Sequence, residues 1–293
     1  MSKKHPIIAV TGSSGSGTTT VMKAFEKLFR RLELNPIVIE GDSFHKYARK
    51  EMKAKIQLAQ NERRNFSHFG FEANLLEELE KTFKSYSETG ICKRRHYLHS
   101  DKEAQLYGKP AGEFTEWQEV GNESDLLLYE GLHGAVINKQ HNINIAQYAD
   151  LKIGVVPSVN LEWIQKIHRD TAERAYKPED VTNTILRRMN DYVSVITPQF
   201  SHTDINFQRV PLVDTSNPFI SRDVPTSDES IVVIRIRNYK QLHLDFPYLL
   251  KMLRGSWMSR RNTIVVPGGK MRLAMEIILQ PIIEKLVNKY ENQ

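Results

Sequence analysis

Apolar residues in this chain gather into short, near-continuous runs. These are Ile7–Thr11, Pro36–Glu40, Asp125–Tyr129, Leu151–Val156 and Ile231–Ile236, with Thr263–Val266 as a sixth. A strand that is apolar at consecutive positions is covered on both faces, whereas one solvated face would produce alternation. Helical spacing separates the early runs, as in Thr20–Phe29. The alternation predicts an α/β fold: a mostly parallel sheet with helices on both faces. Residues from about 45 to 120 hold helical, polar and turn-rich pieces and read as an inserted lid or substrate region. No Pro/Ser/Gly linker divides the chain, so residues 1–293 read as a single domain. Met271–Leu286 reads as one amphipathic helix, which Pro281 should kink or interrupt.

Between the first run and the first helical pattern lies Gly12-Ser13-Ser14-Gly15-Ser16-Gly17-Thr18-Thr19. Its strand–glycine loop–helix setting and its spacing are those of a phosphate-binding loop. Glycines let backbone N–H groups converge on an anion, and the helix N-terminus adds partial positive charge. Gly12 through Thr20 are therefore the candidate nucleotide-binding residues. Thr19 stands where a hydroxyl would reach Mg²⁺. Thr18 stands where a lysine would meet the β- and γ-phosphates, so a nucleotide held here needs a cation from elsewhere.

Composition narrows the partners. Forty-one Lys and Arg against 35 Asp and Glu give a net charge of +6, which suits an anionic ligand without choosing among nucleotide, sugar phosphate or nucleic acid. One cysteine excludes an intrachain disulfide and a cysteine zinc site, and it points to a reducing compartment. No stretch is long enough to span a membrane, and the N-terminal apolar run is too short for a signal-peptide core. A cytoplasmic enzyme with no membrane partner is expected. The basic residues are dispersed and no nucleic-acid recognition motif appears, so nucleic acid is not an expected partner.

Three further segments carry candidate chemistry. The third run ends in Glu130-Gly131-Leu132-His133-Gly134, and an acid at a strand's carboxyl end beside a phosphate loop suits a metal-associated carboxylate. The second run ends in Glu40-Gly41-Asp42-Ser43-Phe44-His45, with Arg49 shortly after. Strand carboxyl ends face the ligand crevice in such sheets, so Asp42 is a candidate general base or, more plainly, a helix cap. His45 and Arg49 could then hold an anionic acceptor. After the fourth run, Lys166, Arg169, Asp170 and Arg174 fall at i, i+3, i+4 and i+8, sharing roughly 140° of a helix face. Lys166 is the first candidate for the cation the loop lacks. A solvated face laced by i,i+4 pairs would show the same spacing.

Taken together these motifs resemble the phosphoribulokinase/uridine kinase family, in its bacterial phosphoribulokinase form. The same resemblance extends through Val159–Asp170, Ile196–Phe200, Asp214–Phe219 and Val266–Lys270. It implies a P-loop kinase fold and ATP-dependent phosphorylation of D-ribulose 5-phosphate to ribulose 1,5-bisphosphate. By motif position, Asp42 resembles the general base, Glu130 the acid near the metal, and His45, Arg49 and Arg174 the sugar-phosphate ligands. Lys166, Arg169 and Asp170 resemble the catalytic cluster. ATP and Mg²⁺ are the implied cofactors. A homo-oligomer activated by NADH and inhibited by AMP is the implied assembly, with Arg31, Arg187, Arg188, Arg235, Arg237 and Arg260 as candidate effector contacts.

The family signature reads Lys-aliphatic-x-Arg-Asp-x-x-x-Arg-Gly-x-Ser/Thr-x-Glu. Here Ala175 stands for the glycine and Lys177 for the Ser/Thr, while Glu179 fits. Alanine tolerates positive φ poorly, which bears on the turn after this helix. The single cysteine leaves no thiol–disulfide control. Two other readings stay open from the residues alone. A uridine kinase or other small-metabolite kinase would normally keep the loop lysine. A nucleotide-sensing regulator without catalysis would account for its loss but would need no base such as Asp42.

Overall fold

The computed structural model describes residues 5–13, 17–121, 123–156, 158–221 and 223–291, without the side chains of 18, 19, 173, 174 and 289–291. The first half runs β1 (Ile7–Gly12), α1 (Thr18–Arg31), β2 (Pro36–Glu40), α2 (Arg49–Asn61), α3 (Leu76–Thr89), β3 (Cys92–Arg94), α4 (Asp101–Tyr107), β4 (Gln118–Val120) and β5 (Leu126–Gly131). Then follow β6 (Ile137–Asn138), β7 (Ile143–Asn144), β8 (Leu151–Val156), α5 (Val159–Arg174), α6 (Pro178–Asp191) and β9 (Ile205–Pro211). The last part is β10 (Ser230–Ile236), α7 (Phe246–Met252), β11 (Trp257–Arg260), β12 (Thr263–Pro267) and α8 (Met271–Glu291).

Eight strands form one sheet in the order β11-β12-β10-β9-β8-β1-β5-β2. The pairs from β9 through β2 are parallel, and β10, β12 and β11 extend the sheet antiparallel. Alternate residues of the central strands enter opposite layers. Ile8, Val10, Leu126, Leu128, Leu151 and Ile153 are buried with Phe25 and Leu28 of α1 and Met275, Ile278 and Leu279 of α8. Ile7, Ala9, Ile39, Leu127 and Tyr129 are buried on the other side with Leu79, Phe83 and Tyr86 of α3. That two-sided burial is why the central strands read as unbroken apolar runs.

All six expected strands are present, two with the expected ends and the others with ends moved by a residue or two. Strand β9 was not expected, although it lies inside the sheet. Its residues Ile205-Asn206-Phe207-Gln208 alternate, with Ile205 and Phe207 buried and their neighbours partly exposed, so it makes no continuous run. The interval from 45 to 120 is not one excursion. Helix α3 lies within it and belongs to the core, while strands β3 and β4 pair with each other in a separate two-stranded sheet. Pro281 does not interrupt the C-terminal helix, which continues to Glu291. Buried Ile278, Leu279, Ile282 and Ile283 on either side of it hold the axis where one hydrogen bond is missing.

At the end of α5, Ala175 takes φ 54 and its N–H bonds to the Asp170 carbonyl. The left-handed cap is thus kept with alanine in the glycine's place. Positive φ costs an L-residue on the order of 1 kcal/mol. Ala175→Gly should therefore raise the denaturation midpoint by an equivalent of about 1 kcal/mol in chemical unfolding. An unchanged or lower midpoint would show that the turn carries no such strain.

Candidate active site

The phosphate loop begins where β1 ends at Gly12. Ser13 is fully buried, and its hydroxyl donates to Glu162 Oε1 at the start of α5. Gly17 has φ 104 with nothing near an added Cβ, so its backbone conformation and not crowding demands glycine. Helix α1 starts at Thr18 with no acidic residue in its first turn, leaving its positive end unopposed toward the loop. Ser14, Gly15 and Ser16 lie outside the described residues, as do the side chains of Thr18, Thr19 and Arg174. Beside the loop opens a cavity of about 330 Å³ lined by Gly17, Thr20, Lys23, Ser158, Glu162, Arg209, Gly268 and Gly269, among others. Gly268 closes against the Ser227 and Ser230 carbonyls, which a Cβ would strike.

Two glycines bring the acidic strand ends together. A Cβ on Gly41 would lie 2.6 Å from the Tyr129 hydroxyl and 2.8 Å from Gly131 Cα, and one on Gly131 would strike Gly41 in return. β2 and β5 therefore run side by side to their tips, with Glu40 opposite Glu130 in register. Asp42 follows as the second residue of a short 3₁₀ turn, Gly41–Phe44, whose N-cap position is taken by Glu40. Its Oδ1 lies 3.2 Å from His45 Nε2 and its Oδ2 3.6 Å from His99 Nε2. Burial would raise the Asp42 carboxyl, but the charge and hydrogen bond of His45, with His99 beside it, outweigh that and hold it well below the usual range. Asp42 is thus ionised at neutral pH while its side chain stays 42% exposed to the cleft.

The turn is held from outside. Arg95 donates from Nε to the Ser43 carbonyl at 2.7 Å and from Nη2 to the His45 carbonyl at 2.8 Å. Its guanidinium lies 3.8 Å from the Phe114 ring centre and 4.6 Å from that of Trp117. Arg49 donates to the His99 carbonyl at 2.8 Å and lies 5.9 Å from the Tyr97 ring.

Helix α5 supplies the cations. Lys166 Nζ lies 2.5 Å from Asp170 Oδ2, and Arg169 bonds Asp170 Oδ1 through Nε and Nη2. Lys166 and Asp170 are both buried, so this is not a solvated helix face. Burial lowers the Lys166 ammonium to about 8, helped by the nearby Arg188 and opposed by Asp170. Burial also lifts Glu162 to about 7, against hydrogen bonds from Ser13 and Tyr192. From α6, Arg188 Nη2 lies 3.3 Å from His68 Nδ1. Arginine can only donate, so His68 accepts there, in keeping with burial and the charge of Arg188 holding it neutral. Arg188 feels the charges of both Asp170 and Asp42. Motifs more than a hundred residues apart therefore share one electrostatic environment.

His99, Arg95, Asn74, His68 and Glu162 were not among the expected site residues, and Arg188 was expected only as an effector contact. The one signal in sequence was the dense run of basic and ring residues in Arg94-Arg95-His96-Tyr97-Leu98-His99.

An ionised carboxylate that shares one electrostatic environment with a buried lysine and two arginines is suited to moving a phosphoryl group, a reaction that rests on positioning and charge stabilisation. Fold and site together define a P-loop kinase. The chain belongs to the Phosphoribulokinase / Uridine kinase family, whose model matches residues 7–216. It is 58% identical over 291 residues to phosphoribulokinase 1 of Cereibacter sphaeroides, covering 99% of each chain. It is 54% identical over 287 residues to a probable phosphoribulokinase of Escherichia coli, covering 98% of each. The solved structure of phosphoribulokinase from Rhodobacter spheroides matches with a TM-score of 0.90 and 55% identity, over 99% of this chain and 100% of that one.

Proposed function

We propose that this chain transfers the γ-phosphoryl group of ATP to D-ribulose 5-phosphate, giving ribulose 1,5-bisphosphate and ADP. What supports the reading is an ionised Asp42 that shares the charge of Arg188 with Asp170, the partner of buried Lys166 and of Arg169, in a chain similar along its whole length to phosphoribulokinases. Backbone amides from Gly12 to Thr20 hold the nucleotide phosphates, and the adjoining cavity takes the rest of the nucleotide. His45, Arg49 and Arg174 hold the phosphate of the acceptor. The acceptor oxygen bonds to the γ-phosphorus while the bond from that phosphorus to the β,γ-bridging oxygen breaks. The hydroxyl proton passes to Asp42 as its oxygen becomes acidic. Lys166 and Arg169, oriented by Asp170, offset the charge on the phosphoryl oxygens and on the departing ADP.

No cluster of three or more His, Cys, Asp or Glu among the described residues could hold a metal alone. That fits a hard cation bound largely by nucleotide oxygens, with the Thr19 hydroxyl and the Glu130 carboxylate as its protein ligands. Mg²⁺ there would neutralise charge on the β- and γ-phosphates. We further infer a homo-oligomer with NADH and AMP as effectors, resting on the bacterial resemblance. A cytoplasmic site of action fits the single, buried Cys92. No helix among the described residues is long and apolar enough to cross a membrane.

Coupled ADP release over a panel of pentose phosphates, uridine and pantothenate tests the reading. Turnover with ribulose 5-phosphate is expected. Turnover of uridine instead would favour the other branch of the family, and nucleotide binding without any turnover would favour a regulator.

A further inference from the structure

His45 is buried, and both of its ring nitrogens face oxygen. Nε2 lies 3.2 Å from Asp42 Oδ1, and Nδ1 lies 2.8 Å from Asn74 Oδ1. The orientation of the Asn74 amide is not arbitrary. Its Nδ2 donates to the His68 carbonyl at 2.8 Å and to the Gly70 carbonyl at 2.7 Å. Flipping the amide would point its oxygen at two carbonyl oxygens, so Oδ1 must face the ring.

Each protonation state of His45 can be weighed against these two acceptors. The neutral ring with its proton on Nδ1 satisfies Asn74 but turns an Nε2 lone pair toward the Asp42 carboxylate. The neutral ring with its proton on Nε2 satisfies Asp42 but turns an Nδ1 lone pair toward the amide oxygen. Only the imidazolium donates to both. We propose that Asn74 is a positioning residue for the phosphoryl transfer: by accepting from Nδ1 it removes the neutral Nε2–H tautomer and keeps His45 positively charged against Asp42. This rests on the kinase reading above only for its consequence in catalysis.

The surroundings agree. Asp42 pulls the His45 proton on, while burial and the charge of Arg188 push it off, and the balance stands above the ordinary imidazole value. The other groups facing the ring do not supply the missing acceptor. His68 lies 5.2 Å away ring to ring, is held neutral, and gives its Nδ1 to Arg188. The Tyr97 ring is 6.2 Å away. His99 approaches the far oxygen of Asp42, and His133 donates its Nε2 proton to the Phe69 carbonyl.

The consequence for the reaction is specific. With Oδ1 of Asp42 held by the imidazolium, Oδ2 is left to take the hydroxyl proton. Because both nitrogens of His45 are engaged within the protein, its contribution to binding an acceptor phosphate is its charge. Without Asn74, His45 can lose its proton and still donate from Nε2 to Asp42, so the cation is lost at a lower pH.

The test reads the ring directly. Imidazole ¹⁵N–¹H spectra of the whole protein, assigned with His45→Gln, should show both His45 nitrogens protonated at pH 7. In Asn74→Leu the apparent pKa of His45 should fall by about one to two units, the worth of a hydrogen bond to a charged group. At a pH above the parental His45 pKa, kcat/KM for the acceptor should fall by up to about ten- to a hundredfold, and this loss should vanish when Asn74→Leu is made in a His45→Gln background. A neutral His45 in the parent protein at pH 7 would overturn the proposal without any need for a folded variant. An unshifted His45 in folded Asn74→Leu, or an equal loss with and without His45, would overturn it too. The spectra do not depend on turnover, so failure of the kinase reading would leave them interpretable.

Discussion

Lys166→Met is expected to abolish most turnover while leaving nucleotide affinity nearly intact. The phosphate loop has Thr18 where a lysine would stand, and Lys166 reaches the site from α5, buried and held at 2.5 Å by Asp170. Removing a preorganised charge that acts on the transferring group costs on the order of 10²–10³ in kcat. In the proposed site backbone amides would hold the nucleotide phosphates, so its Kd should change little. The lysine's charge also sets a pH limit. Its ammonium is lowered to about 8, so it is protonated below that pH and neutral above it. The kcat/KM profile should therefore decline as pH rises through about 8. Lys166→Arg keeps its charge throughout and should move that decline to higher pH even if its kcat is reduced. A Lys166→Met enzyme with parental kcat would assign the compensating charge to Arg169 and Arg188.

Asp42→Asn should lose turnover far more than binding. The substitution preserves shape and removes the proton acceptor, and loss of a general base costs on the order of 10²–10⁴ in rate. The loss should fall on kcat with little change in KM for ATP, the mark of an interaction made in the transition state. Asp42 is a weak base in its ground state because His45 holds it ionised. That suits a loose phosphoryl transfer, in which the attacking hydroxyl becomes acidic only as its bond to phosphorus forms. Single-turnover rates separate this from slow product release. Near-parental single-turnover rates in Asp42→Asn would mean the proton goes elsewhere.

The candidate site residues are legible in the sequence because they sit at fixed offsets from strand ends. Gly12–Thr20, Asp42 and Glu130 each follow an apolar run, and the carboxyl ends of parallel strands share one edge of the sheet. Lys166, Arg169 and Asp170 were legible as one face of a helix. Whether that face was solvated or buried was not legible, since ion pairs at i,i+4 spacing look the same in both cases.

What the sequence determined by itself is the set of groups available and their local geometry: strand followed by phosphate loop, acid at a strand tip, cations on one side of a helix. These depend on neighbours a few residues away, through backbone conformation and helical period. Tertiary structure alone decided which groups meet. Asn74 reaches His45 across 29 positions, Ser13 reaches Glu162 across 149, and Arg188 reaches His68 across 120. Each contact joins different elements, and no periodicity in the chain encodes it. Burial was decided at the same level. It turned Lys166 from a surface ammonium into one that titrates near 8, because desolvation depends on what the whole fold places around a charge.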